Sequence, residues 1–182
     1  MAEKMTIARP YAKAAFEYAM ESKAIAEWAD ALLILATVVK NEQVLALLRE
    51  DAISVEDMVE LFLAICKRTV GNGLLEPLRN FILLLAKRKR LVLLPEIQKH
   101  YKKMQLDAEN RVEVKFKSAV SLNETEQNAY KKVLEKYLSR TVIMQSEVDP
   151  RILGGFSARA GNVVIDGSIL GSLTNLKAVM GD

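Results

Sequence analysis

The 182-residue chain holds one cysteine and one histidine, and each scarcity removes a class of function. A lone Cys66 excludes an intramolecular disulfide. With His100 the only histidine, no His/Cys metal cluster can form within one chain. Cys66 lies among Phe62, Ile65 and Val70, the setting of an inert buried thiol rather than a nucleophile. A Ser-His-Asp arrangement would have to use His100, which has no nucleophile motif nearby. The phosphate-cradling pattern Gly-x-x-x-x-Gly-Lys-[Ser/Thr] is missing. Gly154-Gly155 lacks the following helix N-terminus that would make it an anion site. Acidic pairs such as Glu56/Asp57 fall at a helix start, where they offset the helix dipole. No enzymatic activity, metal or cofactor is expected.

Long apolar runs are also missing. The longest, Ala31 to Val39, is far short of the ~20 residues that a membrane-spanning helix needs. The opening Met-Ala-Glu-Lys-Met-Thr has no apolar signal-peptide core. The expectation is a soluble chain that stays where it is made, with no direct membrane insertion. Apolar residues still make up 51%, enough for a packed core.

The net charge of +3 conceals a gradient. Residues 1–70 carry 8 basic and 11 acidic groups, residues 71–110 carry 8 and 4, and residues 111–182 carry 10 and 8. Residues 87–104 concentrate seven Lys or Arg against the single acid Glu96. Such a run invites a polyanion partner. A solvated helix face at a junction explains it more simply, and no nucleic-acid partner is expected.

That junction separates two unlike halves. Before it, helices are predicted from Thr6 (as N-cap) to Met20, Ile25 to Val39, Glu42 to Arg49, Ser54 to Thr69 and Leu74 to Lys89. Pro95, suited to a first turn, opens another near Leu94 with Ile97, Tyr101 and Met104 on one face. Two of these helices carry more apolar surface than one core face needs. In the first, Ile7, Tyr11, Ala14 and Tyr18 form one stripe and Ala12, Ala15, Phe16 and Ala19 another. In the fifth, Leu74, Leu78, Phe81 and Leu85 suffice for a core, leaving Leu83 and Leu84 over. Such surplus fits either a deeply buried central pair or a groove for a helix from another chain.

After the junction, Arg111 to Lys117 and Thr141 to Val148 alternate as strands. Between them Ser121-Leu-Asn-Glu124 reads as a capping box for a helix presenting Tyr130, Val133, Leu134, Tyr137 and Leu138. Gly155 to Ala160, a Gly161-Asn162 turn and Val163 to Ile165 read as a hairpin. Asp166-Gly-Ser168 leads to a last helix from Ile169.

Four stretches carry a family resemblance. They are Ala8-Arg-Pro-Tyr-Ala-Lys-Ala-Ala-Phe16, Arg90-Leu-Val-Leu-Leu-Pro-Glu-Ile97, Asp149-Pro-Arg-Ile-Leu-Gly-Gly-Phe156 and Gly161-Asn-Val-Val-Ile-Asp-Gly-Ser168. In this order the chain resembles the delta subunit of bacterial F-type ATP synthase, the counterpart of the mitochondrial oligomycin-sensitivity-conferring protein. Lys89 departs from the pattern, standing where a small residue often precedes Arg-Leu.

The resemblance implies an α+β protein with an N-terminal six-helix bundle over residues 1–106 and a small C-terminal α/β domain over 107–182. It implies a non-catalytic stator subunit at the cytoplasmic face of the bacterial inner membrane. The bundle would hold the N-terminal helix of an alpha subunit between its first and fifth helices, lined by Tyr11, Ala14, Tyr18, Asn80 and Leu84. The second domain would bind the C-terminal ends of the b subunits, with Gly154, Gly155, Phe156, Gly161, Asp166, Gly167 and Ser168 as its motif.

Overall fold

Ala-Glu-Lys-Met at positions 2–5 are strong helix formers, and helix α1 begins with them, running Ala2–Glu21. Thr6 is therefore an interior residue and not the expected N-cap. Pro10 falls well inside the helix, where it forgoes one backbone hydrogen bond without ending the element. The computed structural model describes residues 2–50, 53–67, 71–152 and 154–168. It divides into two compact units, Met1–Gln105 and Leu106–Asp182.

In the first unit α2 (Ile25–Val39), α3 (Glu42–Glu50), α4 (Val55–Cys66) and α5 (Asn72–Lys87) follow α1. A 3-10 turn at Leu91–Leu93 leads into α6, Leu94–Ala108. Ser54 caps α4 by accepting a hydrogen bond from the Asp57 backbone N–H at 3.1 Å. The predicted end of α4 near Thr69 lies outside the described residues.

One apolar core unites these helices. It takes Ala8, Ala12, Ala15 and Ala19 from α1, Trp28, Leu32 and Leu35 from α2, and Leu78, Ile82 and Leu85 from α5. From α6 come Leu94, Ile97 and Tyr101, whose hydroxyl donates to the Ile25 carbonyl at 2.9 Å. The alanines let α1 lie close to its neighbours. Ile82 belongs to this core although the predicted stripe omits it, and Phe81 is only partly buried. Burial pushes the Cys66 thiol up to about 11.

α1 and α5 end alike. Lys23 and Lys89 take left-handed φ values of 54° and 52°. Beside them the Ala24 N–H reaches Ala19 O at 2.9 Å and the Arg90 N–H reaches Leu85 O at 2.8 Å, the six-residue closure of a Schellman motif. Glycine takes that conformation freely, whereas a lysine there carries a backbone cost.

Among the described residues no single helix is long and apolar enough to cross a membrane. Ile25–Val39 and Glu42–Leu48 reach the length together but are bent by 86°, and the apolar face of α2 is core.

The second unit is a four-stranded sheet in the order β2-β1-β3-β4, formed by Thr141–Val148, Arg111–Ser118, Phe156–Ala160 and Val163–Asp166 respectively. β1 and β2 are parallel, so the chain must cross over between them, and α7 (Glu124–Leu138) makes that crossing. β3 and β4 complete the sheet as an antiparallel hairpin. Its two-residue loop has Gly161 at φ 57°, as a glycine at the first position of a type II′ loop allows.

The capping box of α7 is real but two residues later than expected. Asn123 and Glu126 exchange hydrogen bonds of 2.9 Å in both directions, rather than Ser121 and Glu124. Asn is as good a cap as Ser, and the sequence offers both registers. Against the sheet, α7 buries Leu134 and packs Tyr130 and Leu138, whereas Val133 and Tyr137 are 67% and 69% exposed. The predicted five-residue face was too wide for one sheet to cover. The final helix predicted from Ile169 lies outside the described residues.

Candidate functional site

The surplus apolar surface of α1 resolves into two roles. The Ala12, Ala15, Phe16 and Ala19 stripe is buried, while Ala14 and Tyr18 on the other stripe are exposed, Tyr18 by 45%. Facing them on α5 are Pro77, Asn80 and Phe81, and the two helices wall a cavity of about 320 Å³. Trp28 of α2 completes the lining. Its ring meets Tyr18 edge-on at 5.9 Å and Phe81 edge-on at 5.6 Å, so three aromatic rings run from one wall to the other. Such edge-to-face pairs are favourable beyond the area they bury. Trp28 Nε1 is buried without a hydrogen-bond partner, so ring packing holds the indole in place.

Of the five residues predicted to line a groove, Ala14, Tyr18 and Asn80 come together in this cavity. Leu84 is not in the lining but lies one turn beyond Asn80, 46% exposed, and extends the apolar strip along α5. Tyr11 is placed differently. Only 9% exposed, it accepts a hydrogen bond from Arg90 Nη1 at 2.7 Å, and the guanidinium lies 5.6 Å from its ring centre. It ties α1 to the end of α5. Periodicity placed Tyr11 on the stripe but could not show that Arg90 would cover it. Trp28, Pro77 and Phe81 were missed as lining because two of them also serve the core. The signal for them was Phe81 standing next to Asn80, with Pro77 one turn earlier.

The basic run is divided between the end of α5 and α6, where Lys102 and Lys103 are exposed. Lys87, Arg88 and Lys89 are exposed where α5 ends, Arg90 is engaged by Tyr11, and Lys99 pairs with Glu96 at 3.1 Å on α6.

The motif of the second unit assembles around the open end of the β3/β4 hairpin. Gly155 has φ 83°, and a Cβ there would stand 2.2 Å from the Gly167 carbonyl oxygen. A Cβ on Gly167 would meet the Phe156 ring at 2.9 Å, while the Gly167 N–H donates to Phe156 O at 2.9 Å. Gly167 is thus needed for close approach and not for an unusual φ. Hydrogen bonds from Ser168, side chain first and then backbone, hold the Asp166 carboxyl below its ordinary value. Gly161 sits apart, at the far turn of the hairpin, and Gly154 precedes Gly155 in the loop.

Next to the hairpin base, Asp149 accepts from Arg151 Nε at 2.9 Å and from Lys117 Nζ at 3.3 Å. The Arg151 guanidinium, aided by the Arg151 backbone N–H and Lys117, holds that carboxyl well below the usual carboxylate range. Among the described residues no group of three His, Cys, Asp or Glu could hold a metal ion.

Residues 7–180 match the family described as ATP synthase delta (OSCP) subunit. The chain belongs to that family. It is a family of structural, non-catalytic ATP synthase subunits. Among delta subunits, this chain is 39% identical over 180 residues to that of Yersinia enterocolitica, covering 99% of both chains. The delta subunit of Yersinia pestis matches to the same extent. A chain in the Toxoplasma gondii mitochondrial ATP synthase hexamer shares the fold at a TM-score of 0.70, with 16% identity and coverage of 95% of this chain and 96% of that one.

Proposed function

We propose that this delta-family subunit is the stator connector of a bacterial F-type ATP synthase. Its helical unit, residues 1–106, grips the catalytic head by taking the N-terminal helix of an alpha subunit between α1 and α5. The smaller domain, residues 107–182, binds the C-terminal ends of the b subunits of the peripheral stalk. The observation that carries this reading is the cavity walled by Ala14, Tyr18, Asn80 and Phe81 with Trp28. An amphipathic helix laid there would cover Tyr18 and Leu84, large apolar side chains otherwise left in water. Ala14, with no bulk beyond Cβ, allows its backbone close.

The work is mechanical. A rotating shaft exerts torque on the head, and the head stays still only if both interfaces of the connector hold. The site of action is the cytoplasmic face of the inner membrane, where the subunit is peripheral.

Capture from membranes with the tagged full-length chain is expected to recover head and stalk subunits together. Recovery of nucleic acid instead, with steep salt dependence from counterion release, would overturn the reading. The division of labour has its own check. Limited proteolysis is expected to cut first within 105–111 and leave a helical N-terminal fragment that still binds the head.

A further inference from the structure

The groove carries opposite charge at its two ends. Tyr11 of α1 meets Arg90 just beyond α5, whereas Tyr18 stands opposite Pro77 and Phe81, so the two helices run in opposite directions along it. Near Tyr18 are Glu21, three residues further along α1, and Glu76 in the lining itself. Glu27 belongs to the same end, where these three carboxylates outnumber the exposed Lys23 two residues past Glu21. The Glu27 carboxylate is 4.0 Å from where a Cβ on Gly71, the cap of α5, would stand. At the other end, beyond Leu84, are exposed Lys87 and Arg88 and the Arg90 guanidinium. Between them Lys13 and Glu17 pair at 3.5 Å and cancel.

Compensation of the α5 dipole alone would place Lys87 where it is, but not Glu76, which lies beyond the first turn. It does not account for Glu21, which is the last residue of α1 and opposes that helix's dipole, with no basic residue in its last turn.

Resting on the groove reading above, we infer that the groove accepts its helix in one direction. The partner presents cations to Glu21 and Glu76 and carboxylates to Lys87 and Arg88. Helices favour acids in the first turn and bases in the last, so the partner's N-terminus lies at the Lys87 end and its chain runs parallel to α1. Apolar contact supplies the affinity, and the charged ends select the direction and speed the encounter.

The test uses the full-length chain and a synthetic amphipathic peptide of roughly 18 residues, five turns of helix, with glutamates in its first turn and lysines in its last. Trp28, the only tryptophan, packs on Tyr18 and so lies toward the acidic end. A nitroxide on the lysine end of the peptide is expected to quench Trp28 strongly, and one on the glutamate end weakly. In the Glu21→Lys, Glu76→Lys double variant, affinity is expected to fall about tenfold at low salt, the sum of a few exposed pairs lost and reversed. That loss should shrink toward nothing near 1 M salt, where the screening length is about 3 Å. Equal quenching from both ends, or an undiminished affinity in the correctly folded double variant, overturns the direction while leaving the groove standing. No binding of either labelled peptide overturns the groove and the direction with it.

Discussion

The two units of this chain use their aromatic residues in opposite ways. In the helical unit Tyr18, Trp28 and Phe81 form a row that lines a surface cavity, with Tyr18 substantially open to water. In the sheet unit Phe116 stacks on Phe156 and Tyr130 tilts against both, with ring centres 5.0–5.2 Å apart, beside a glycine that leaves no spare room. The first cluster is open on one side; the second is closed. A side chain added to the closed cluster should therefore damage the fold, and one added to the open row should damage binding.

The largest expected effect is on the closed cluster. Gly155→Ala combines a left-handed φ, costing about 1–2 kcal/mol, with a backbone clash of the kind that costs about 1–3 kcal/mol or more. Amide exchange in β3 and β4 should accelerate while the Trp28 fluorescence melt, which reports the helical unit, is unchanged. Gly167→Val should act the same way through the Phe156 ring and weaken stalk binding with head binding nearly intact. Equal loss of both interactions would show that the units do not divide the work.

Next is the open row. Ala14→Asp sets a charge where an apolar helix should lie, a penalty of at least a few kcal/mol and so roughly a hundredfold weaker binding. Because Ala14 is exposed in the free chain, helicity and melt should be normal. Titration with a peptide from the alpha-subunit N-terminus checks this, and undiminished binding by the folded variant would sink the groove.

A smaller effect belongs to pH. The folded Asp149 carboxyl lies below its unfolded value, so its contribution is complete above the ordinary carboxylate range and is lost as pH falls through that range and below it. Stability of the sheet unit should decline on acidification from about pH 5. Asp149→Asn should remove part of that decline, and the helical unit should be indifferent to the substitution. An acid profile identical to the parent's would assign the pH response to other carboxylates.

The smallest change is a gain. At Lys23 the left-handed cost of about 1–2 kcal/mol outweighs the entropy penalty of glycine, about 0.5–1 kcal/mol. Lys23→Gly should therefore stabilise the helical unit by about 0.5–1 kcal/mol, with no weakening of peptide binding. A lowered melt would mean that the lysine side chain supports the helix end in another way.

The same contrast governs what the sequence makes legible. The bounds of α2 follow from its apolar repeat, and the strand alternation of 111–117 and 141–148 places β1 and β2, because both patterns are local consequences of burial. Part of the open row is visible as well, since Ala14 and Tyr18 carry apolar surface beyond what one core face takes, whereas Trp28 and Phe81 read as core because they also serve it. What stays hidden depends on partners distant along the chain. Tyr11 is covered by Arg90, seventy-nine positions away. Val133 and Tyr137 are exposed because the sheet is narrow, and Gly167 owes its identity to a ring brought against it by strand pairing. Local competition hides the rest: two capping registers compete before α7, and good helix formers carry α1 past the cap that Thr6 offered.

Cys66 has a consequence for how such a chain survives and can be handled. With its thiol pushed up to about 11 and no exposure, roughly one molecule in ten thousand carries the thiolate at pH 7. Oxidants and alkylating reagents act on the thiolate, so the only sulfhydryl in the sequence is chemically silent while the helical unit stays folded. Two copies of the folded chain cannot become cross-linked through it. A cysteine introduced on the rim of the groove would react alone, and the native thiol would announce itself only when the bundle opens.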